Sequence, residues 1–423
     1  MSRALARFTV AESAPTPPPA SKSGEPLSLP YGRHTIEEDD IAAVVAAMRS
    51  ELLAQGPRVA AFEAALAERV GAAHAVACSS GTAALHLALA GLSLRPGDVC
   101  VVPPLTFLST ATAALFCGAE VLFCDVDPDN GLMTLHALDQ ALRRARELGM
   151  RVKAVLPVHL AGRLCDTAAL AERAAEAGAV VVEDACHALG SRDARGNFAG
   201  GCADSAAAAF SFHPVKTIAA GEGGMVTLND AETAERLRRL RNHGVTRERA
   251  RMGEAGSFGD DGAPNPWSYE QLELGFNYRM NEMEAALGLS QLGKLDRFVA
   301  RRASLAARYD RLLAPFSPLV RSVPTPEGQA PSLHLYTVLI DFEAAGLDRA
   351  EVMNALVARG VGVQVHYIPL YRQPFFRARY GEMRMPGAER YYRRVLALPL
   401  FPAMSDTHVD QVVLALAEVL GAL

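Results

Sequence analysis

Three short stretches of the 423-residue chain carry residue types whose order suggests chemistry: SSGT at 79–82, the aspartate closing AVVVED at 179–184, and the lysine closing SFHPVK at 211–216. Lysine is rare in this sequence. Of its 42 cationic side chains 38 are arginine, leaving Lys22, Lys153, Lys216 and Lys294. Arginine keeps its proton under nearly all conditions, whereas a buried lysine can release one and attack a carbonyl. Lys216 stands between the apolar run SAAAAF and the glycine-rich TIAAGEGG. Taken alone, it reads equally well as a snorkelling surface residue. SSGT alone is ordinary helix capping. Asp184, with His187 three residues on, could be a cap, a metal ligand or a partner for a protonated heterocycle. Together the three stretches supply what pyridoxal phosphate requires. An amine forms a Schiff base with the aldehyde, a strand-end carboxylate keeps the ring nitrogen protonated, and a helix start neutralises the phosphate. Phe107, in PPLTF, offers a ring to stack on the pyridine face. No second carboxylate or histidine stands at metal-ligand spacing, so no metal site is expected.

These residues need a scaffold that brings strand ends together, and the surrounding pattern predicts one. TIEEDDIAAVVAAMRSELL (35–53) and RVAAFEAALAERVG (58–71) have helical apolar spacing. HAVACSS (74–80) reads as a strand and GTAALHLALAGL (81–92) as the helix after it. The alternation continues through DVCVVPPLTF, LSTATAALFCGA, EVLFCDV, a helix over 134–148, VKAVLPVH, a helix over 166–178, and AVVVED. Strands written as nearly continuous apolar runs between helices predict an α/β fold, with a mostly parallel sheet flanked by helices. In such sheets ligands gather at the carboxyl ends of strands, where all three stretches lie. The texture turns polar and glycine-rich over 248–270. One long helix is expected over 281–313, bridging to a smaller C-terminal α+β unit built from HLYTVLIDF, a helix over 348–359, VGVQVHYIPL and a terminal helix over 405–421. The expected organisation is therefore a flexible Pro/Ser-rich leader (1–27), a large domain (28–280) with an N-terminal helical segment, and the bridging helix with the small domain (281–423).

Bulk properties exclude several classes. A net charge of -5 gives no electrostatic reason to expect nucleic acid or an anionic membrane surface as partner. No apolar run is long enough to span a bilayer. The seven cysteines, Cys78, Cys100, Cys117, Cys124, Cys165, Cys186 and Cys202, show no C-x-x-C spacing and sit in apolar surroundings. A reduced, cytoplasmic setting is expected.

At this point the chain resembles the DegT-like sugar-nucleotide aminotransferases, of the aspartate-aminotransferase fold (type I). The resemblance runs from about Tyr31 to the C-terminus. It rests on SSGTAALHLAL, PPLTFLSTATA, VLPVHLAG, VVEDACHALGS, FSFHPVKTIAAGEGG, LRNHG, GFNYRMNEMEAALGLSQL and QVHYIPLY. It implies Lys216 as the Schiff-base lysine and proton carrier, Asp184 as partner of the pyridinium nitrogen, and Phe107 stacked on the ring. Ser80, Gly81, Thr82 and Ser211 would hold the phosphate. His187 would lie beside the ring hydroxyl, where many relatives have glutamine. Asn277 and Arg279 would reach into the neighbouring subunit's site, since the family builds its sites at a homodimer interface. Several stretches look like the branch that makes the pseudaminic-acid precursor in polysaccharide biosynthesis. These are EDACHALGS, SFHPVKTI, NPWSYEQLELGFNYRM, HLYTVL and ARGVGVQVHYIPLY. Tyr31, Glu51, Leu52, Leu53 and Ala54, and Gln364, Val365, His366 and Tyr367, match positions lining the sugar-nucleotide site there. The implied reaction moves an amino group from glutamate onto C4 of a UDP-linked 4-keto-6-deoxy-N-acetyl sugar, giving a UDP-4-amino-4,6-dideoxy-N-acetyl-β-L-altrosamine. Ala219 and Ala220 stand where relatives usually carry threonines.

Other readings remain open at this level. Another nucleotide 4-keto or 3-keto sugar, GDP- or dTDP-linked, would suit the same residues. The family's C3 dehydratases replace the lysine by histidine, and Lys216 argues against that reaction. A cysteine desulfurase needs a mobile cysteine. A non-catalytic cofactor-binding regulator would carry a DNA-binding module, for which residues 1–30 are too short. An NAD-binding protein would want G-x-G-x-x-G where SSGTAA stands.

Overall fold

The apolar runs pair as the alternation predicts. In a computed structural model, which describes residues 27–422, seven strands form one sheet: β1 (His74–Cys78), β2 (Asp98–Val102), β3 (Glu120–Phe123), β4 (Arg151–Val155), β5 (Val180–Asp184), β6 (Ala207–Ser211) and β7 (Gly224–Leu228). Their order is β1-β7-β6-β5-β4-β2-β3, and only β7 runs antiparallel to its neighbours. Strict alternation along the strands divides the core in two. Val76 and Cys78 of β1, with Ala207 and Ala209 of β6, pack into one apolar cluster. Their neighbours Ala75, Ala77, Ala208 and Phe210 pack into another on the opposite face. Both faces are therefore buried, which is why the strands carry few polar residues. Residues 1–26 of the expected leader lie outside the described residues.

Helices cover both faces. They are α1 (Glu38–Met48), α2 (Pro57–Val70), α3 (Gly81–Gly91), α4 (Leu108–Phe116), α5 (Leu135–Glu147), α6 (Thr167–Glu176) and α7 (Ala231–Leu240). Leu85 and Leu89 of α3 join the first cluster, and Phe62 and Leu66 of α2 the second. Two-residue strands β8 (Val245–Thr246) and β9 (Glu270–Gln271) bracket the polar loop.

The helix expected over 281–313 is two helices, α8 (Glu282–Leu292) and α9 (Leu295–Leu313), broken at Gly293–Lys294. Glycine weakens a helix interior. Lys294 is also drawn away to α1, where its Nζ lies 2.7 Å from Asp40 and 3.2 Å from Glu37. Burial alone would raise the Asp40 carboxyl. Hydrogen bonds from Lys294, Ser290, the Glu37 N–H and Gln291 outweigh that and leave it lowered.

Helix α9 belongs to two packing bodies. Leu295 and Phe298 join the large-lobe cluster, while Leu305, Tyr309 and Leu313 pack with Val338, Leu396, Val412 and Leu416. The second body contains the antiparallel sheet β10 (Val320–Ser322), β11 (Tyr336–Ile340) and β12 (Val395–Leu398). Helices α10 (Arg349–Ala358) and α13 (Asp406–Val419) cover it, whereas α11 (Pro374–Tyr380) and α12 (Pro386–Arg394) pack Phe376, Ala388 and Tyr391 into the first large-lobe cluster. The stretch VGVQVHYIPL is not a continuous strand. It makes single pairings, Val361 with Leu29 and Gln364 with Ala397; Val361 and Val363 pack in the C-terminal cluster, while Gln364–Ile368 line the cleft. Gly362 N–H donates to Leu29 O at 2.7 Å and Leu400 N–H to Tyr31 O at 3.1 Å. The earliest described residues are thus stitched to the C-terminal body. Among the described residues no helix is long and apolar enough to cross a membrane.

Candidate active site

The carboxyl ends of β1, β5 and β6 open into a cleft of about 780 Å³. On its wall the structure brings together Ser80, Gly81, Thr82, Phe107, Asp184, His187, Ser211 and Lys216, with Tyr31 and Gln364–Tyr367 from the opposite side.

The β1–α3 turn is shaped by close packing. Ser80 caps α3, its Oγ accepting from Ala83 N–H at 3.1 Å. Gly81 and Thr82 follow in the first turn, where N–H groups have no intrahelical acceptor. A Cβ on Gly81 would fall 2.7 Å from Cβ of Ser211, and one on Gly224 would fall 2.1 Å from Ser80 O. Only glycine lets the ends of β1, β6 and β7 meet this closely, and the result is an open N-terminal cradle for an anion. Thr82 Oγ1 pairs with Ser109 Oγ at 2.6 Å.

Asp184 closes β5 and is buried. Its Oδ2 accepts from Thr110 Oγ1 at 2.6 Å and its Oδ1 from Cys186 N–H at 3.2 Å. A carboxylate only accepts, so the Thr110 hydroxyl must donate to it. Thr106, 2.6 Å from Thr110, then donates in turn. The chain of hydroxyls fixes the carboxylate's orientation from α4. Thr106 and Thr110 carried no role in the sequence reading, although their i, i+4 spacing at a helix start was a usable signal.

Lys216 lies half-buried in the loop after β6, its N–H held by His213 O at 2.8 Å. Burial lowers its amine below the ordinary lysine value, while Cys186 and Asp184 pull the other way. The net direction favours the neutral, nucleophilic form.

His187 faces the same space. Ala161 N–H points at its Nδ1 at 3.3 Å, so Nδ1 must be the unprotonated nitrogen. The proton sits on Nε2, 3.2 Å from the Tyr367 hydroxyl. Burial, with the Lys216 and His366 charges, drives His187 well below the usual histidine value, so it stays neutral. His334, which the sequence reading passed over, packs its ring 4.6 Å from that of His187. The Nδ1 atoms of His334 and His366 are buried and without partners. Unpaired polar atoms lining a cleft of this size are what a polar ligand would satisfy. Burial, followed by the Lys216 charge, pulls His366 down to about 3. Phe107 leaves its ring 56% exposed at the mouth, 6.3 Å from that of Tyr367.

Other predicted residues stand elsewhere. Asn277 pairs with Asn242 through the backbone, and Arg279 donates to Asn242 Oδ1 at 2.6 Å. Glu51, Leu52, Leu53 and Ala54 are exposed beside the start of α8, where Leu53 O accepts from Glu282 N–H at 3.0 Å. Neither group lines this chain's cleft. Among the described residues no three His, Cys, Asp or Glu side chains are placed to hold a metal ion.

An amine, a buried carboxylate and a helix N-terminus, converging at the strand ends of a sheet wound in this way, define a pyridoxal-phosphate-dependent enzyme of fold type I. The chain belongs to the DegT/DnrJ/EryC1/StrS aminotransferase family, whose model matches residues 34–417. It is 38% identical over 394 residues to the spore coat polysaccharide biosynthesis protein SpsC of Bacillus subtilis, covering 92% of this chain and 97% of that one. Among solved structures it superimposes on Helicobacter pylori PseC, an aminotransferase of pseudaminic acid biosynthesis, with a TM-score of 0.83. That pair shares 26% identity, over 94% of this chain and all of PseC. The PLP form of the sugar aminotransferase Spr1654 from Streptococcus pneumoniae gives a TM-score of 0.81 at 26% identity, over 93% and 99% of the two chains.

Proposed function

We propose that this transaminase aminates C4 of a UDP-linked 4-keto-6-deoxy-N-acetyl sugar with glutamate as donor, yielding a UDP-4-amino-4,6-dideoxy-N-acetyl-β-L-altrosamine. The observation that carries the reading is the two-sided cleft. One wall holds the Lys216 amine and the Asp184 carboxylate, and the other presents Tyr31, Gln364, His366 and Tyr367. The second wall offers hydroxyl, amide and imidazole groups, the kind that discriminate sugar hydroxyls.

Pyridoxal phosphate, when bound, supplies the aldehyde and the electron-withdrawing ring that make transamination possible. Ser80, Gly81, Thr82 and Ser211 would hold its phosphate at the start of α3, and Phe107 would cover one face of the ring. Asp184, braced by Thr110 and Cys186, would keep a proton on the ring nitrogen. Lys216, whose amine burial lowers below the ordinary lysine value, would attach the cofactor through its Nζ and would move the proton between the substrate carbon and the cofactor. His187 donates its Nε2–H to the Tyr367 oxygen, which leaves the Tyr367 O–H free to donate to a ligand in the cleft. Burial leaves both imidazoles, His187 and His366, neutral.

The substrate assignment is tested by offering the purified enzyme, with PLP and glutamate, a panel of UDP-, GDP- and dTDP-linked 4-keto and 3-keto sugars. Mass spectrometry follows the exchange of oxygen for an amino group. The N-acetylated UDP sugar should be the one aminated fastest, and a clear preference for a dTDP or GDP sugar would overturn the assignment.

We further propose that two copies complete each other's sites. Asn277, Arg279 and Glu51–Ala54 do not line their own cleft, and Leu52, Leu53, Trp267 and Leu274 leave apolar surface exposed nearby in the sequence. Inactive Lys216→Ala chains mixed with inactive Asn277/Arg279 double-alanine chains, under exchange, should form heterodimers with one intact site. About half the activity per heterodimer should then return, from the symmetry of a two-site dimer. Proven exchange with no recovery would place both residues outside the partner's site.

A further inference from the structure

Helix α9 carries a buried cation that the proposed chemistry does not use. Arg302 is 2% exposed, and among the described residues no carboxylate pairs with it. Its Nη1 donates to Thr217 O at 3.3 Å and its Nη2 to Lys216 O at 3.4 Å, while its Nε is buried without a partner. A desolvated guanidinium facing only neutral acceptors is costly, since buried charges are ordinarily paired. Burial pulls it down to about 10, which leaves it charged at neutral pH. Arg163 is also buried without a carboxylate partner, but its acceptors, Val323 O and the Thr337 hydroxyl, belong to no reacting residue.

The carbonyls that Arg302 holds lie in a loop outside any regular ladder. Phe212 and Ala220 tie its two ends together, through Phe212 N–H to Gly223 O and Ala220 N–H to Phe212 O, both 2.9 Å. Between those ties the main chain must still be fixed at Lys216, because a four-carbon stem amplifies any tilt of its origin. Helix α9 is the suitable anchor, being packed with both lobes.

We propose that Arg302 is a positioning residue for Lys216: from α9 its guanidinium forks onto the Lys216 and Thr217 carbonyls and fixes the point from which the amine projects. The proposal rests on the reading of Lys216 as the reacting amine. It extends that reading to a residue on another element, 86 positions later in the chain. Geometry rather than charge neutralisation is the role, since the fork has two acceptors and the stem lies buried in the inter-lobe helix.

Three variants test it in the PLP-loaded enzyme. Arg302→Met removes fork and charge, Arg302→Gln keeps a donor without charge, and Arg302→Lys keeps the charge with one flexible donor. Visible circular dichroism per bound cofactor reads how firmly the attached chromophore is oriented, independently of turnover. In Arg302→Met it should fall while visible absorbance per chain is retained. Turnover, kcat, should drop roughly 10- to 100-fold, the scale of an ångström-level misplacement. KM for glutamate should change by no more than about twofold, the pattern of a defect in the reacting step. Arg302→Lys should recover part of both signals. Where the Met protein does not accumulate folded, Arg302→Gln is held to the same criteria. Wild-type kcat and dichroism in the folded Met or Gln protein would overturn the proposal, as would a lowered melting temperature with both signals unchanged. Borohydride reduction of the wild type, followed by peptide mapping, separates this from failure of the underlying reading. Cofactor mass on the Lys216 peptide upholds that reading whatever Arg302 does, and cofactor mass on another lysine overturns both.

Discussion

Purified Lys216→Arg protein will bind PLP without the visible absorbance of a lysine-attached cofactor and will turn over more than ~10⁴-fold more slowly than wild type. The substitution keeps a cation of similar reach, so electrostatic attraction for the phosphate survives. What is lost is an amine that can shed its proton. Burial lowers the lysine, whereas guanidinium stays protonated in the same surroundings. Two functions therefore disappear together: covalent attachment, and the relay of a proton between carbons. Adding a small free amine such as methylamine should return a fraction of turnover, because it replaces the second function without the first. Normal absorbance and activity in this variant would mean that another lysine carries the chemistry, which only Lys22, Lys153 or Lys294 could do. Lys294 is already engaged by Glu37, Asp39 and Asp40 on α1.

Asp184→Asn should separate attachment from catalysis. The amide is nearly isosteric, and the Cys186 N–H can still donate to its oxygen. The Thr110 hydroxyl, which donates to the carboxylate at 2.6 Å, would meet either the amide oxygen or an NH₂ group. In the second arrangement it must turn round and accept, and the Thr106–Thr110 chain reverses with it. No neutral amide holds a proton on a pyridine nitrogen. The variant should therefore be yellow, with the lysine attached, yet slower by roughly 10²–10³-fold, the scale seen when one charge-stabilising group is lost from a preorganised site. Single-turnover mixing with glutamate would show the loss in the first half of the reaction. Unchanged rates would mean that a different group faces the ring nitrogen.

How much of this could be read in advance depended on how local the cause was. Strands β1–β5 were legible because both faces of the sheet are buried, which forces unbroken apolar runs such as VVVED and DVCVV, whereas the short antiparallel β7 was not assigned. Lys216 and Asp184 stood out because their types are costly to bury and their positions fell at strand ends. The Thr106–Thr110 brace was harder to see, since hydroxyls at a helix start are usually caps. His334 heads the HLYTVL stretch of the resemblance, yet nothing in the sequence assigned it a place beside His187. Its proximity to His187 is made by the small lobe folding against the large one, over a separation of about 150 residues that no local pattern encodes. The break at Gly293–Lys294 was hidden in the same way, because the carboxylates that draw Lys294 aside come from α1, some 250 residues earlier. VGVQVHYIPL has the composition of a strand but only single-residue pairings, because its side chains are needed in the cleft.

The stitching of Leu29 and Tyr31 to the C-terminal body has a consequence for the newborn chain. Leu29 cannot meet Val361, nor Tyr31 meet Leu400, until roughly 330 and 370 further residues respectively have left the ribosome, which at ordinary synthesis rates of about 5–20 residues per second takes some tens of seconds. The large sheet can close in that interval, since its strands are complete by Leu228. The segment from Leu27 to Tyr31 emerges ahead of the sheet and docks after it. Until the C-terminal body is made, Leu27 and Leu29 have no cluster to pack into, and the segment waits as a loose apolar thread.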